Sequence, residues 1–164
     1  PASFFVITGV LDEKQKQRRP EYLSWEQVKD LKRGGFHIGS HTVTHRSLGN
    51  LTPQEVELEL KESFDRLQTE LGTPPDGLSY PFGTLRDFSE TVVSIARSCR
   101  YPYAVTAIHG LNHRGCDLFQ LQRTTITAGD GLKTLKMIMK GDLDPWLFVD
   151  RWGYRLQRPS SSLE

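Results

Sequence analysis

The sequence predicts an α/β protein: a mostly parallel sheet with helices packed over it. Three observations carry that prediction. Strand-type and helix-type segments alternate along the chain, in an order close to βαβαβαββα, the pattern of parallel strands joined by helical crossovers. The helical segments carry their own start and stop signals. The two most unusual loops, His41-Thr42-Val43-Thr44-His45 and Tyr80-Pro81-Phe82-Gly83, each follow a strand-type segment. In folds of this class ligands sit at the carboxyl ends of the strands, so both loops are expected at one mouth of the sheet.

The first strand is expected at 2–8, followed by a polar loop that carries Lys14, Lys16, Arg18 and Arg19. Ser24 with Gln27 three residues on forms a capping box, and that helix should run to Arg33, where Gly34-Gly35 ends it. Residues 36–40 are short and bounded by breakers, which reads as a buried strand. Thr52, Pro53 and Glu55 give the clearest helix start in the chain, as N-cap, first helical residue and box partner. Val56, Leu60, Phe64, Leu67 and Leu71 then form one apolar stripe, stopped by Gly72 and Pro74-Pro75. A strand at 77–80, a helix at 87–99, strands at 103–108 and 120–126, and helices at 130–140 and 145–157 complete the expected order.

The chain has 164 residues, enough for one domain with a proper core, read as 1–158 with a tail at 159–164. The closing Leu163-Glu164 resembles a cloning remnant and is left out of fold reasoning. With 37% apolar residues, 25% charged residues and net charge +1, nothing argues electrostatically for nucleic acid or an anionic membrane, and no apolar run reaches the length of a membrane span. The opening Ala2-Ser3-Phe4-Phe5-Val6-Ile7 has the character of a buried strand, so further sequence is expected upstream of it. Any leader would lie there, and the compartment is left open. Cys99 and Cys116 lack metal-type spacing, and one disulfide or two free thiols both suit them.

Three readings compete for His41 and His45. On a helix, four-residue spacing would put both on one face, as in HExxH sites; the β-branched residues between them and the missing glutamate speak against it. On a loop leaving a strand, a turn through Thr42 to Thr44 would bring His45 round beside His41, and two imidazoles suit a divalent ion that normally takes three protein ligands. The third reading is two polar loop histidines with no metal. Tyr80-Pro81-Phe82-Gly83 is either a plain tight turn or a set of backbone donors for a developing oxyanion.

Taken in order, ASFFVITGVL, GGFHIGSHTVTH, LTPQEVELELKESFDRLQTELG and YPFG resemble the NodB-type polysaccharide deacetylases, carbohydrate esterase family four, over about residues 2–126. The resemblance implies a distorted (β/α) barrel and hydrolysis of N- or O-acetyl groups on saccharides, in a bacterial hydrolase. It implies a divalent metal, Zn²⁺, bound by His41 and His45, with Thr42 at the Ser/Thr position of the motif. It makes the Phe82 N–H the oxyanion donor, and lets Tyr80, Pro81 and Gly83 shape the floor of the substrate groove. Arg123 resembles the arginine of the YPFG-bearing branch, near the general base; an ion-paired or surface arginine is the alternative.

The family's Thr-Phe-Asp-Asp-Gly motif, source of the base and the third metal ligand, has no counterpart, since no Asp-Asp pair occurs in the chain. The expectation is an incomplete barrel, its first strand-helix unit of roughly 30 residues lying upstream, and a chain inactive alone. An exposed sheet edge would then be covered by that segment or by a second copy of the chain. The late Leu-x-His motif also lacks a match; His109 and His113 are read as non-catalytic, His37 as structural or solvent-facing, and Trp25, Trp146 and Trp152 as packing residues. Two other functions stay open: an amidase acting on small non-sugar C–N bonds, and a non-catalytic saccharide-binding or interaction module.

Overall fold

The computed structural model describes residues 2–17, 22–127 and 129–142. Four parallel strands form one sheet in chain order: β1 (Ser3–Val6), β2 (His37–Ser40), β3 (Leu78–Ser79) and β4 (Ala104–Val105). Helices α1 (Thr8–Gln17) and α2 (Trp25–Arg33) lie between β1 and β2. Helix α3 (Pro53–Leu71) crosses to β3, α4 (Glu90–Ser98) crosses to β4, and α5 (Leu132–Lys140) follows. Among the described residues the alternation expected from sequence is present, with one helix, α1, that was not anticipated.

The capping signals act where the sequence places them. Ser24 accepts from Gln27 N while the Gln27 side chain accepts from Ser24 N; Thr52 and Glu55 make the same reciprocal pair at α3. Gly72 ends α3 in the left-handed conformation. The apolar stripe of α3 divides between two cores. Val56, Leu60 and Phe64 pack with Leu78, Tyr80, Val92, Val93 and Ala104. Leu67 packs with Val6, Leu11, Trp25, Val28 and Ile38. Trp25 is buried and donates from its indole nitrogen to Asp12, so it is a packing residue as expected.

Several expectations are corrected. The strand at 2–8 stops at Val6, and the stretch read as a polar loop enters α1 at Thr8. This helix has no side-chain N-cap visible in the sequence. Its first N–H groups are satisfied from a distance: Thr8 N donates to Thr42 O and Gly9 N to Val43 O, at 3.1 and 3.0 Å. A tertiary contact thus replaces the local signal. The strand expected at 120–126 shrinks to a single parallel bridge, Val105 with Leu121, with Leu121 bonded to β4. Helix α4 starts later than expected because Ser89 caps it. The final helix at 145–157, its Trp146 and Trp152, and the tail fall outside the described residues. Cys99 and Cys116 are free thiols, and none of the described helices is long and apolar enough to cross a membrane.

Candidate active site

His41 and His45 lie on the loop that leaves the carboxyl end of β2. The loop reading, not the helical one, describes them. Thr42 and His45 both adopt left-handed backbone, at φ 66° and 63°. These reversals fold the five-residue loop back so that the imidazoles meet, with ring centroids 4.6 Å apart and Nε2 to Nε2 3.1 Å.

The partners of His41 fix its tautomer. Its Nδ1 lies 2.7 Å from the Ser79 carbonyl oxygen, which can only accept. Nδ1 therefore donates and Nε2 carries the lone pair, the orientation a metal-ligating histidine needs. Burial pushes the His41 pKa down to about 4, against the raising effect of the Ser79 carbonyl and with the help of His45 and Arg123. His41 is neutral at neutral pH, as a ligand must be.

Two nitrogens each about 2.0–2.1 Å from a tetrahedral ion stand about 3.3 Å apart. The 3.1 Å spacing of the imidazole nitrogens fits two ligands of one divalent ion. Among the described residues no group of three His, Cys, Asp or Glu side chains completes such a site. The fit is that of a two-ligand half-site.

The Tyr80-Pro81-Phe82-Gly83 turn leaves the end of β3 beside this pair. Phe82 is left-handed at φ 58°, and its exposed ring stands 4.9 Å from that of His45. Gly83 is left-handed too and donates to Pro81 O. Tyr80 and Pro81 are fully buried; Tyr80 stacks on Phe88 and donates from its hydroxyl to Phe119 O. Thr42 is equally buried, and its Oγ1 accepts from His45 N at 3.1 Å. These three side chains hold the loops from below, while Phe82 stands at the surface.

Arg123 reaches the same region. It donates from Nε to Thr106 O and from its terminal nitrogen to Ser79 Oγ at 3.0 Å, and its guanidinium lies over the Phe5 ring. Ser79 thus links Arg123 through its hydroxyl to His41 through its carbonyl. His37 is exposed, 3.8 Å from Asp76. His109 pairs with Thr124 Oγ1, and His113 with Arg114 O.

Two carboxylates escaped sequence reasoning. Glu59, only 4% exposed, accepts from Val43 N and Thr44 N at 3.0 and 2.9 Å, and also from Thr44 Oγ1 and Arg46. Asp87 accepts from Ser47 Oγ, just past the histidine loop, and from Thr84, just past the Phe82 turn. One signal for Glu59 was available. It stands three residues after Val56 and one before Leu60, so it falls on the buried stripe of α3, where a carboxylate needs partners.

Residues 1–104 match the family model described as polysaccharide deacetylase. The Bacillus subtilis (strain 168) protein YxkH is 29% identical over 108 residues, 66% of this chain and 38% of that protein. Among solved structures, the Streptococcus pyogenes deacetylase PplD in complex with acetate is 27% identical with a TM-score of 0.74, over 84% of this chain and 57% of that one. The polysaccharide deacetylase BC0361 from Bacillus cereus is 25% identical with a TM-score of 0.70, over 85% and 42%. The chain therefore spans well under two thirds of these relatives, and its α/β fold is the barrel-like NodB arrangement. On the extent of the family match, the chain belongs to the polysaccharide deacetylases.

Proposed function

We propose that this chain is the histidine-bearing part of a metal-dependent deacetylase that hydrolyses N- or O-acetyl groups of a saccharide. The convergence of the His41 and His45 Nε2 atoms beside the Phe82 turn is the observation that carries this reading. A divalent metal, Zn²⁺, held by these histidines would supply Lewis-acid polarisation of the acetyl carbonyl and a more acidic water.

The chain's own residues do the rest. His41 stays neutral and oriented through its bond to Ser79 O. The Phe82 N–H donates to the oxyanion that develops as the carbonyl is attacked. Tyr80, Pro81 and Gly83 set the level of that turn, and Thr42 sets the backbone of His45. Arg123 holds Ser79 and adds positive charge at the mouth. The general base and the third ligand come from aspartates outside these residues. The 164-residue chain alone is then a weak metal binder with little hydrolysis, and the open side of β1 is covered by upstream sequence or by a second copy.

The test compares this chain with the same chain extended upstream through an Asp-Asp motif, on acetylated chito-oligosaccharides with acetate release as readout. The extended chain should release acetate, and His41→Ala should abolish that. An extended chain that folds, takes up Zn²⁺ and leaves every acetylated saccharide intact would exclude the reading. The incomplete ligand set among the described residues favours a second reading, a saccharide-binding module without catalysis; saccharide binding without acetate release by the extended chain would support it.

A further inference from the structure

The histidine loop is gripped from both sides by groups distant in sequence. Its carbonyls at Thr42 and Val43 accept from the start of α1. Its N–H groups at Val43 and Thr44 donate to Glu59, whose other oxygen accepts from Thr44 Oγ1 and Arg46. Between these grips lie two non-glycine residues in left-handed backbone, Thr42 and His45. Each costs about 1–2 kcal/mol against ordinary conformations, so the loop holds that shape only where its surroundings impose it.

Glu59 is well placed to impose it. Its neighbours Val56 and Leu60 are 1% and 0% exposed, which fixes the helix backbone that carries it. A carboxylate is a poor choice for stability at a 4% exposed position on an apolar stripe. A buried charge costs several kcal/mol unless bonded, and a hydrophobic residue of similar volume is often as stable or more so. What the carboxylate contributes is one oxygen that accepts from two successive loop N–H groups and a second that accepts from Thr44 Oγ1 and Arg46, which no apolar side chain offers.

We propose that Glu59 is the positioning residue of the histidine site: its carboxylate imposes the left-handed turns at Thr42 and His45, and through them the convergence of the two Nε2 atoms. The loop geometry stands by itself; the consequence for metal rests on the deacetylase reading.

The test uses the chain extended upstream through an Asp-Asp motif, isotope-labelled, as wild type, Glu59→Met and His41→Ala; Met keeps the volume and removes both acceptor oxygens. Proton NMR reads the contacts between the His41 and His45 rings and between His45 and Phe82, and circular dichroism confirms folding. Titration with Co²⁺, followed by absorption, reads metal uptake. Glu59→Met should keep its helical spectrum, lose at least half the intensity of both ring contacts, and bind Co²⁺ about tenfold more weakly. If Glu59→Met fails to fold, Thr44→Val removes one donor from the loop side and should weaken the same contacts. Ring contacts unchanged in a folded Glu59→Met chain or, where that chain does not fold, in Thr44→Val would overturn the proposal. Equal Co²⁺ uptake by wild type and His41→Ala would instead sink the metal reading, and the ring contacts alone would then decide the role of Glu59.

Discussion

Gly83 occupies a position where both conformation and space exclude a side chain. Its φ is +64°, and a Cβ there would stand 2.5 Å from the Ala107 nitrogen. That nitrogen donates to Gly83 O, which ties the Phe82 turn to the chain beyond β4. Gly83→Ala must therefore strain the backbone, push the two segments apart, or both. It should destabilise the fold by about 2–4 kcal/mol, measured by urea unfolding, and in the extended chain it should lower acetate release more than the stability loss explains. Gly9 is a close-approach case of another kind, with Val43 O only 2.6 Å from where its Cβ would stand. At this scale the sequence was legible where chemistry is local. A His-x-x-x-His spacing after a strand and a Pro-aromatic-Gly turn announce themselves. Glu59 and Gly9 act on residues 16 and 34 positions away, and only the folded chain brings those together.

The elements meet at similar long-range pins. Asp76, just before β3, accepts from Ile38 N in β2 and from Lys32 at the end of α2, both at 2.8 Å, with His37 beside it. Burial alone would raise its pKa, but the Lys32 bond, the Ile38 N–H and the charges of Lys32 and His37 outweigh it and hold the carboxyl below its ordinary value. Between its folded pKa and that ordinary value the unfolded chain binds more protons, so stability rises with pH there. The contribution is complete above about pH 4 and lost as pH falls through the folded pKa. Asp76→Asn should cost about 1 kcal/mol near pH 6, and the difference from wild type should fade as pH falls below the ordinary carboxylate value and through the folded pKa, in urea titrations run across that range. Elements with their own caps, α2 and α3, were legible to within a residue or two. Helix α1 was not, because the groups that start it sit on the histidine loop. The strand expected at 120–126 is reduced to one bridge for the related reason that alternation describes a residue's habit, whereas a strand also needs a neighbour in register.

Across the whole molecule, α3 joins two cores that otherwise share few side chains. Leu60 is 0% exposed in one; Trp25 reports on the other. Leu60→Ala should cost about 2–5 kcal/mol. With Trp146 and Trp152 replaced by Phe, the Trp25 fluorescence midpoint should fall together with the circular dichroism midpoint. Separate midpoints would mean that the two cores unfold independently. The order of the sheet carries a last consequence. Because β1, β2, β3 and β4 lie side by side in the order in which they are translated, each strand leaving the ribosome finds its earlier neighbour already waiting. Growth of these four strands needs none to be inserted between two others, and the histidine loop can close on α1 and α3 before the Phe82 turn has been synthesised.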